Sequence, residues 1–193
     1  MDRKRIIWLG ILTVLCLALV LLFILTVLGE RTKDGRPLDF QRENQSVEPL
    51  EKRTVALYFS SEEDDLLHLE EREIPAYVTV ALQARRTMEE LIAGPIGDLI
   101  NPIPPETKLR ELYLTSQGDA FVDFSREIRE NHLFGSSADI ATIYSIVHSL
   151  TENFEEIKRV YILIDGGEQD TLGGHIDLRK PFLPRQDLIA SLR

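Results

Sequence analysis

The chain has 193 residues, with 22 Lys or Arg against 32 Asp or Glu, and a formal charge of −10 at pH 7. A chain this acidic offers no broad basic face, which argues against nucleic acid or an anionic lipid surface as a partner held by charge. Its single cysteine, Cys16, lies in an apolar run, so the remainder has neither disulfide nor thiol chemistry.

Ile6 to Leu28 is an apolar run without a charge, preceded by Arg3, Lys4 and Arg5. As a helix it reaches roughly 35 Å, enough to cross a hydrocarbon core of about 30 Å. The expectation is a single-pass anchor in the lipid bilayer, with residues 1–5 in the cytoplasm and the C-terminal body outside, because the upstream basic cluster is compact. Val27 and Gly29 partly match a cleavage site, which keeps a removed leader as the alternative. Residues 29–53 are charge-dense, contain Gly35, Pro37 and Pro49, and read as a tether. Residues 54–193 have the size of one ordinary domain.

Within that domain, Thr54–Ser60 alternates, placing Val55, Leu57 and Phe59 on one face of a strand. Glu62 to Asp65 is a charged turn, and a second strand runs from Leu67 toward Pro75. A helix is predicted from Val78 to Ala93, with Ala81, Ala84, Met88, Leu91 and Ile92 as its apolar stripe, ended by Gly94-Pro95. A proline-rich connector over 96–105 leads to a hairpin: Leu112–Leu114, a turn at Gly118-Asp119, then Ala120–Phe124. A second helix spans Ser137 to Leu150, with Ser136 or Ser137 as N-cap and Asp139 in the first turn. Val160–Ile164 is apolar at every position, as in a central strand covered on both sides, and Asp165-Gly166-Gly167 closes it. The fold class is therefore α+β: a mixed sheet of about five strands with two main helices, preceded by one N-terminal transmembrane helix.

Candidate chemistry does not converge in the sequence. Ser149 sits in a helical run without a G-x-S-x-G elbow, and His68, His132, His148 and His175 never reach metal-ligand spacing. The acidic residues at 62–65 and 165–170 lack the ligand pattern of a calcium loop. Gly166-Gly167 and Gly173-Gly174 lack the helix or lysine that a phosphate cradle needs. Asp123, His148, Asp165 and His175 are the one pool from which a hydrolase could draw. No catalytic, cofactor-binding or metal-binding residue is assigned, and no cofactor is expected. A glycan binder would need exposed aromatic platforms, whereas Tyr58, Tyr77, Tyr113 and Tyr161 mostly fall in predicted elements and Trp8 lies in the apolar run.

The ordered landmarks resemble the GerMN domain family of sporulation and germination proteins. They are Val55–Phe59, Arg72-Glu73, Leu91 to Gly94-Pro95, Ile103-Pro104 with Thr107 to Leu109, Ala120–Phe124, and Ile146–Phe154 leading into Val160 to Asp165-Gly166. Arg72, Gly94, Pro95, Pro104, Asp165 and Gly166 are the matching positions, read as turn and cap residues. The resemblance implies a non-enzymatic domain exposed beyond the bacterial cytoplasmic membrane, docking to other envelope proteins in a wall- or sporulation-associated assembly. A peptidoglycan-hydrolase accessory or a glycan-binding module is the alternative. One copy is present, where germination-type members can carry two, and His148-Ser149 stands where relatives often have Asn-Thr.

Overall fold

In the computed structural model of the chain, the structure describes residues 51–133 and 135–191. The expected anchor over 6–28, its orientation, Trp8, Cys16 and nearly all of the tether lie outside the described residues. Among the described residues, no helix is long and apolar enough to cross a membrane.

The elements run β1 (Lys52–Ser60), β2 (Leu67–Pro75), α1 (Val80–Ala93), β3 (Leu109–Leu114), β4 (Asp119–Phe124), α2 (Glu127–Glu130), α3 (Ser136–Thr151) and β5 (Arg159–Ile164), then a 3-10 turn at Gln186–Leu188. The α+β class stands and five strands form among the described residues, but they divide into two sheets rather than joining in one. β1 and β2 make an antiparallel ribbon. In the other sheet β4 lies between an antiparallel β3 and a parallel β5.

The reason lies along the edge of β1 that faces away from β2. In an antiparallel ribbon, alternate residues turn their backbone groups outward, here Ala56, Tyr58 and Ser60. Helix α3 meets them with Ser145 and Ser149, and Asn153 continues the four-residue spacing just past its end, so all three lie on one face. Ser145 Oγ donates to Tyr58 O at 2.5 Å, and Tyr58 N donates to Ser149 Oγ at 3.1 Å. Asn153 Nδ2 donates to Ala56 O at 2.7 Å while its Oδ1 accepts from Ala56 N at 2.9 Å. Ser60 exchanges two backbone hydrogen bonds with Ile100. The edge is satisfied by a helix and a connector, so no further strand of the fold docks there.

The second correction concerns β5, which is an outer strand of its sheet, with β4 in the middle. Val160, Ile162 and Ile164 are buried while Tyr161 and Leu163 are half-exposed. Its outer edge is shielded at Val160, which exchanges two backbone hydrogen bonds with Phe182. Helix α3 also begins differently from the expectation. Its N-cap is Gly135 at φ 131, a left-handed conformation that favours glycine, and no side chain caps the helix. Ser136 and Ser137 are already inside it. Asp139 is fully buried and accepts the His175 amide at 3.2 Å.

Helix α1 lies against β3 and β1, and α3 against β1, β2 and β5. Val55, Leu57, Phe59, Met88, Val122, Phe124, Ile146 and Ile162 are part of the single core between them. The segment after 180, left without an element by sequence reasoning, works as a strap. It leaves β5 at Phe182, meets His148 of α3 at Arg185, and closes on β2, where Ala190 N donates to Leu67 O at 2.9 Å.

Candidate functional site

The structure brings together only half of the hydrolase pool. Asp165 and Gly166 form a two-residue turn, with φ 53 and 79, between Ile164 and Gly167, which exchange backbone hydrogen bonds. Both positive φ values match the type I′ turn that Asp-Gly favours. The turn sets Asp165 beside Asp123 of β4, and Arg110 bridges the two carboxylates at 3.0 Å (Nε to Asp123 Oδ2) and 2.8 Å (to Asp165 Oδ1). Asp123 Oδ1 also accepts the Gly166 amide at 2.8 Å, and Arg126 reaches Asp165 Oδ2 at 3.2 Å. Each carboxylate is thus held by guanidinium or amide donors.

The two histidines of that pool stand elsewhere. His148 is fully buried on α3, its Nε2 3.1 Å from Arg185 O and its ring tilted against Tyr58 and Tyr144. Burial pushes its imidazole below the ordinary histidine value, outweighing the pull of Arg185 O and Glu152 toward protonation. His175 contributes its backbone amide to Asp139. The four share no common partner, so no nucleophile, base and orienting group assemble from them. Among the described residues no three His, Cys, Asp or Glu side chains group as metal ligands would.

The positions that carry the family likeness sit at three chain reversals. Arg72 of β2 is buried and closes the end of α1: its guanidinium donates to Glu90 O at 3.1 Å and Gly94 O at 2.9 Å, and also binds the Glu90 and Glu70 carboxylates. Glu70 then accepts the amides of Ile96 and Gly97, beyond the Gly94-Pro95 turn. Burial raises the Glu70 pKa, but hydrogen bonds from Arg72, Gly97 and Ile96 outweigh it and hold the carboxyl below the usual range. Gly94 has φ 89, and a Cβ there would meet Asn101 Nδ2 at 3.1 Å. At the next reversal, Thr107 Oγ1 donates to Pro104 O at 2.7 Å around Glu106 at φ 67. The third is the Asp165-Gly166 turn.

Residues 56–170 match the model of the Germane family, described as sporulation and spore germination. The chain belongs to the Germane family. Its fold is shared with the tandem GerMN domains of the sporulation protein GerM from Bacillus subtilis, at a TM-score of 0.54 and 18% identity, over 71% of this chain and 48% of that one. The first GerMN domain of that protein alone aligns at a TM-score of 0.53 and 19% identity, over 70% of this chain and 99% of that one. A lipoprotein candidate from Clostridium perfringens aligns at a TM-score of 0.49 and 26% identity, over 68% of this chain and 87% of that one. No curated protein matches the sequence.

Two features of this Germane domain escaped the sequence reading. On the outer face of the three-stranded sheet, Tyr113, Phe121 and Tyr161 stand in register across β3, β4 and β5. Tyr113 is 59% exposed, and the Phe121 and Tyr161 rings stack at 4.5 Å between centroids. Strand parity carried a signal, since these residues alternate with the buried Leu112, Ala120, Val122, Val160 and Ile162. The second is a buried cluster at the start of α3. His132 Nδ1 lies 3.6 Å from Asp139 Oδ1 and its Nε2 lies 3.1 Å from Thr142 Oγ1. A Cβ on Gly173 would come within 2.2 Å of that same Asp139 oxygen. No sequence spacing links positions 132, 139 and 173.

Proposed function

We propose that this Germane chain is a membrane-anchored, extracytoplasmic docking module of a bacterial envelope assembly serving sporulation or germination. One observation carries the reading: the two charged residues that bear the family likeness, Arg72 and Asp165, are engaged by other residues of the same chain. Arg72 ties β2 to the end of α1, and Asp165 ties its turn to Arg110 and Arg126. Such residues maintain a shape, and a maintained shape without a reactive constellation suits recognition. The anchor over Ile6–Leu28 and the tether confine the domain near the bilayer, so modest contacts suffice for occupancy. The β1 edge is closed by α3, which turns docking toward surfaces other than that edge. The test is chemical crosslinking of the full chain in membranes of sporulating cells, followed by mass spectrometry. Reproducible recovery of one envelope protein is expected. A wall-cleaving activity of the purified chain, lost in a folded Asp123→Asn or Asp165→Asn variant, would defeat the reading.

The aromatic row favours a second reading, a glycan platform, because sugar rings stack on exposed aromatic side chains. It predicts that the full chain sediments with insoluble peptidoglycan and that Tyr113→Ala releases it. Equal sedimentation of both proteins would remove this reading.

A further inference from the structure

The strap over residues 181–191 is lightly held. Phe182 is its one buried side chain, and residues 183–187 are all exposed. Phe182 exchanges two backbone hydrogen bonds with Val160 of β5, and its ring meets Tyr144 edge-on at 6.1 Å between centroids. Beyond it, Arg185 meets His148, Gln186 Nε2 donates to Glu152 Oε1 at 2.7 Å, and Ala190 closes on Leu67. A segment with so little buried surface can open locally without unfolding the rest.

The stitch at Arg185 depends on a proton. His148 Nε2 accepts the Arg185 amide at 3.3 Å, which requires a lone pair on that nitrogen and puts the ring hydrogen on Nδ1. Nδ1 is buried with no hydrogen-bond partner among the described residues, and the Glu152 carboxylate 3.7 Å away already takes Gln186. A second proton must go to Nε2, against the Arg185 N–H. Among the described residues, the charged groups facing the ring are Glu152 at the end of α3, with Asp187 and the Arg185 guanidinium on the strap. The phenols of Tyr58 on β1 and Tyr144 on α3 flank it. Burial holds the imidazole below the ordinary histidine value, outweighing the pull of Arg185 O, Glu152 and Asp187.

A proton taken at His148 favours any arrangement that lets water reach the ring. Tyr58 is fixed by the β1–β2 ladder and by Ser145 and Ser149, and Tyr144 belongs to α3. The strap is the wall that gives way first.

We propose that His148 is a pH-sensitive latch on the strap: once its imidazole is charged, residues 181–191 lift from α3 and β5 while both sheets stay folded. The Val160 amide and carbonyl, which point out of the sheet edge, then lose Phe182 and stand open. The β5 edge is covered near neutral pH and uncovered in mildly acidic surroundings. An imidazole free in water protonates near pH 6.5, so opening grows as pH falls below that value, by at most about tenfold per pH unit for one proton.

The test is residue-resolved hydrogen exchange of the full chain in zwitterionic nanodiscs at about pH 7.5 and about pH 5.5, read as protection factors so that the pH dependence of intrinsic exchange drops out. Protection of the Phe182 and Val160 amides should fall at least about threefold at the lower pH, while that of Val122 in β4 holds. His148→Gln, which keeps an uncharged acceptor at both pH values, should remove the difference. Should His148→Gln fail to fold, the wild-type imidazole decides: its NMR signals should titrate over the same interval in which the Phe182 amide opens. Equal protection at the two pH values, an equal loss at Val122, a response that survives in folded His148→Gln, or an imidazole that titrates over a different interval overturns the latch.

Discussion

Asn153→Ala isolates the device that separates the two sheets. In the native fold this side chain makes three hydrogen bonds, to Ala56 N at 2.9 Å, Ala56 O at 2.7 Å and Ser149 O at 2.8 Å. Truncation strands an outward-facing amide and carbonyl of β1 at a half-buried edge. Each lost bond of this kind costs about 1 kcal/mol net, somewhat more where water cannot replace it, so the variant should lose about 2–3 kcal/mol. Urea unfolding of the full chain should show that loss as a lower midpoint with an unchanged slope. Asn153→Asp keeps the acceptor for Ala56 N but sets a carboxylate against Ala56 O, so it should recover little. Hydrogen exchange gives a sharper reading. The Ala56 amide should lose protection in Asn153→Ala, while those of Val55 and Leu57, which face β2, should keep theirs. A cost below about 0.5 kcal/mol with the Ala56 amide still slow would refute the claim that side chains of α3 stand in for a strand.

Three further outcomes follow from the same geometry. Ile162, 1% exposed, should cost about 2–5 kcal/mol as Ile162→Ala, read by thermal or urea melts. Arg72→Met should cost about 3–5 kcal/mol, because Glu70 and Glu90 lose their shared cation where little water reaches, whereas Lys52→Met, on an exposed pair with Glu73, should cost almost nothing. His148 makes stability depend on pH: the unfolded imidazole takes its proton near pH 6.5, while burial keeps the folded one neutral to lower pH. The unfolded chain then binds more protons in that window, so stability should be level above about pH 6.5 and fall as pH drops toward the folded value. The slope of the urea midpoint between pH 6.5 and 5 should be shallower in His148→Leu, and equal slopes would show that His148 protonates as freely in the folded chain.

Local patterning determined the elements of this protein. Val55, Leu57 and Phe59 recur every second residue and fix β1, and Met88 with Leu91 marks the buried side of α1. Gly94-Pro95 ends that helix, and Asp165-Gly166 makes the turn its backbone freedom favours, because each depends on a few neighbouring residues and their own φ preferences. Partnership between elements was beyond that reach. Val160–Ile164 is apolar throughout, yet strand periodicity reports how much of each side chain is covered and not which strand lies on either side, so a shielded outer strand reads like a central one. Ser145, Ser149 and Asn153 look like ordinary polar positions until Tyr58 and Ala56, nearly a hundred residues earlier in the chain, supply the backbone groups they satisfy. The aromatic row arises in the same way. Tyr113 aligns with Phe121 and Tyr161 only when the chain closes, because burial and hydrogen bonding are settled between distant segments while propensity and turn chemistry are settled within one.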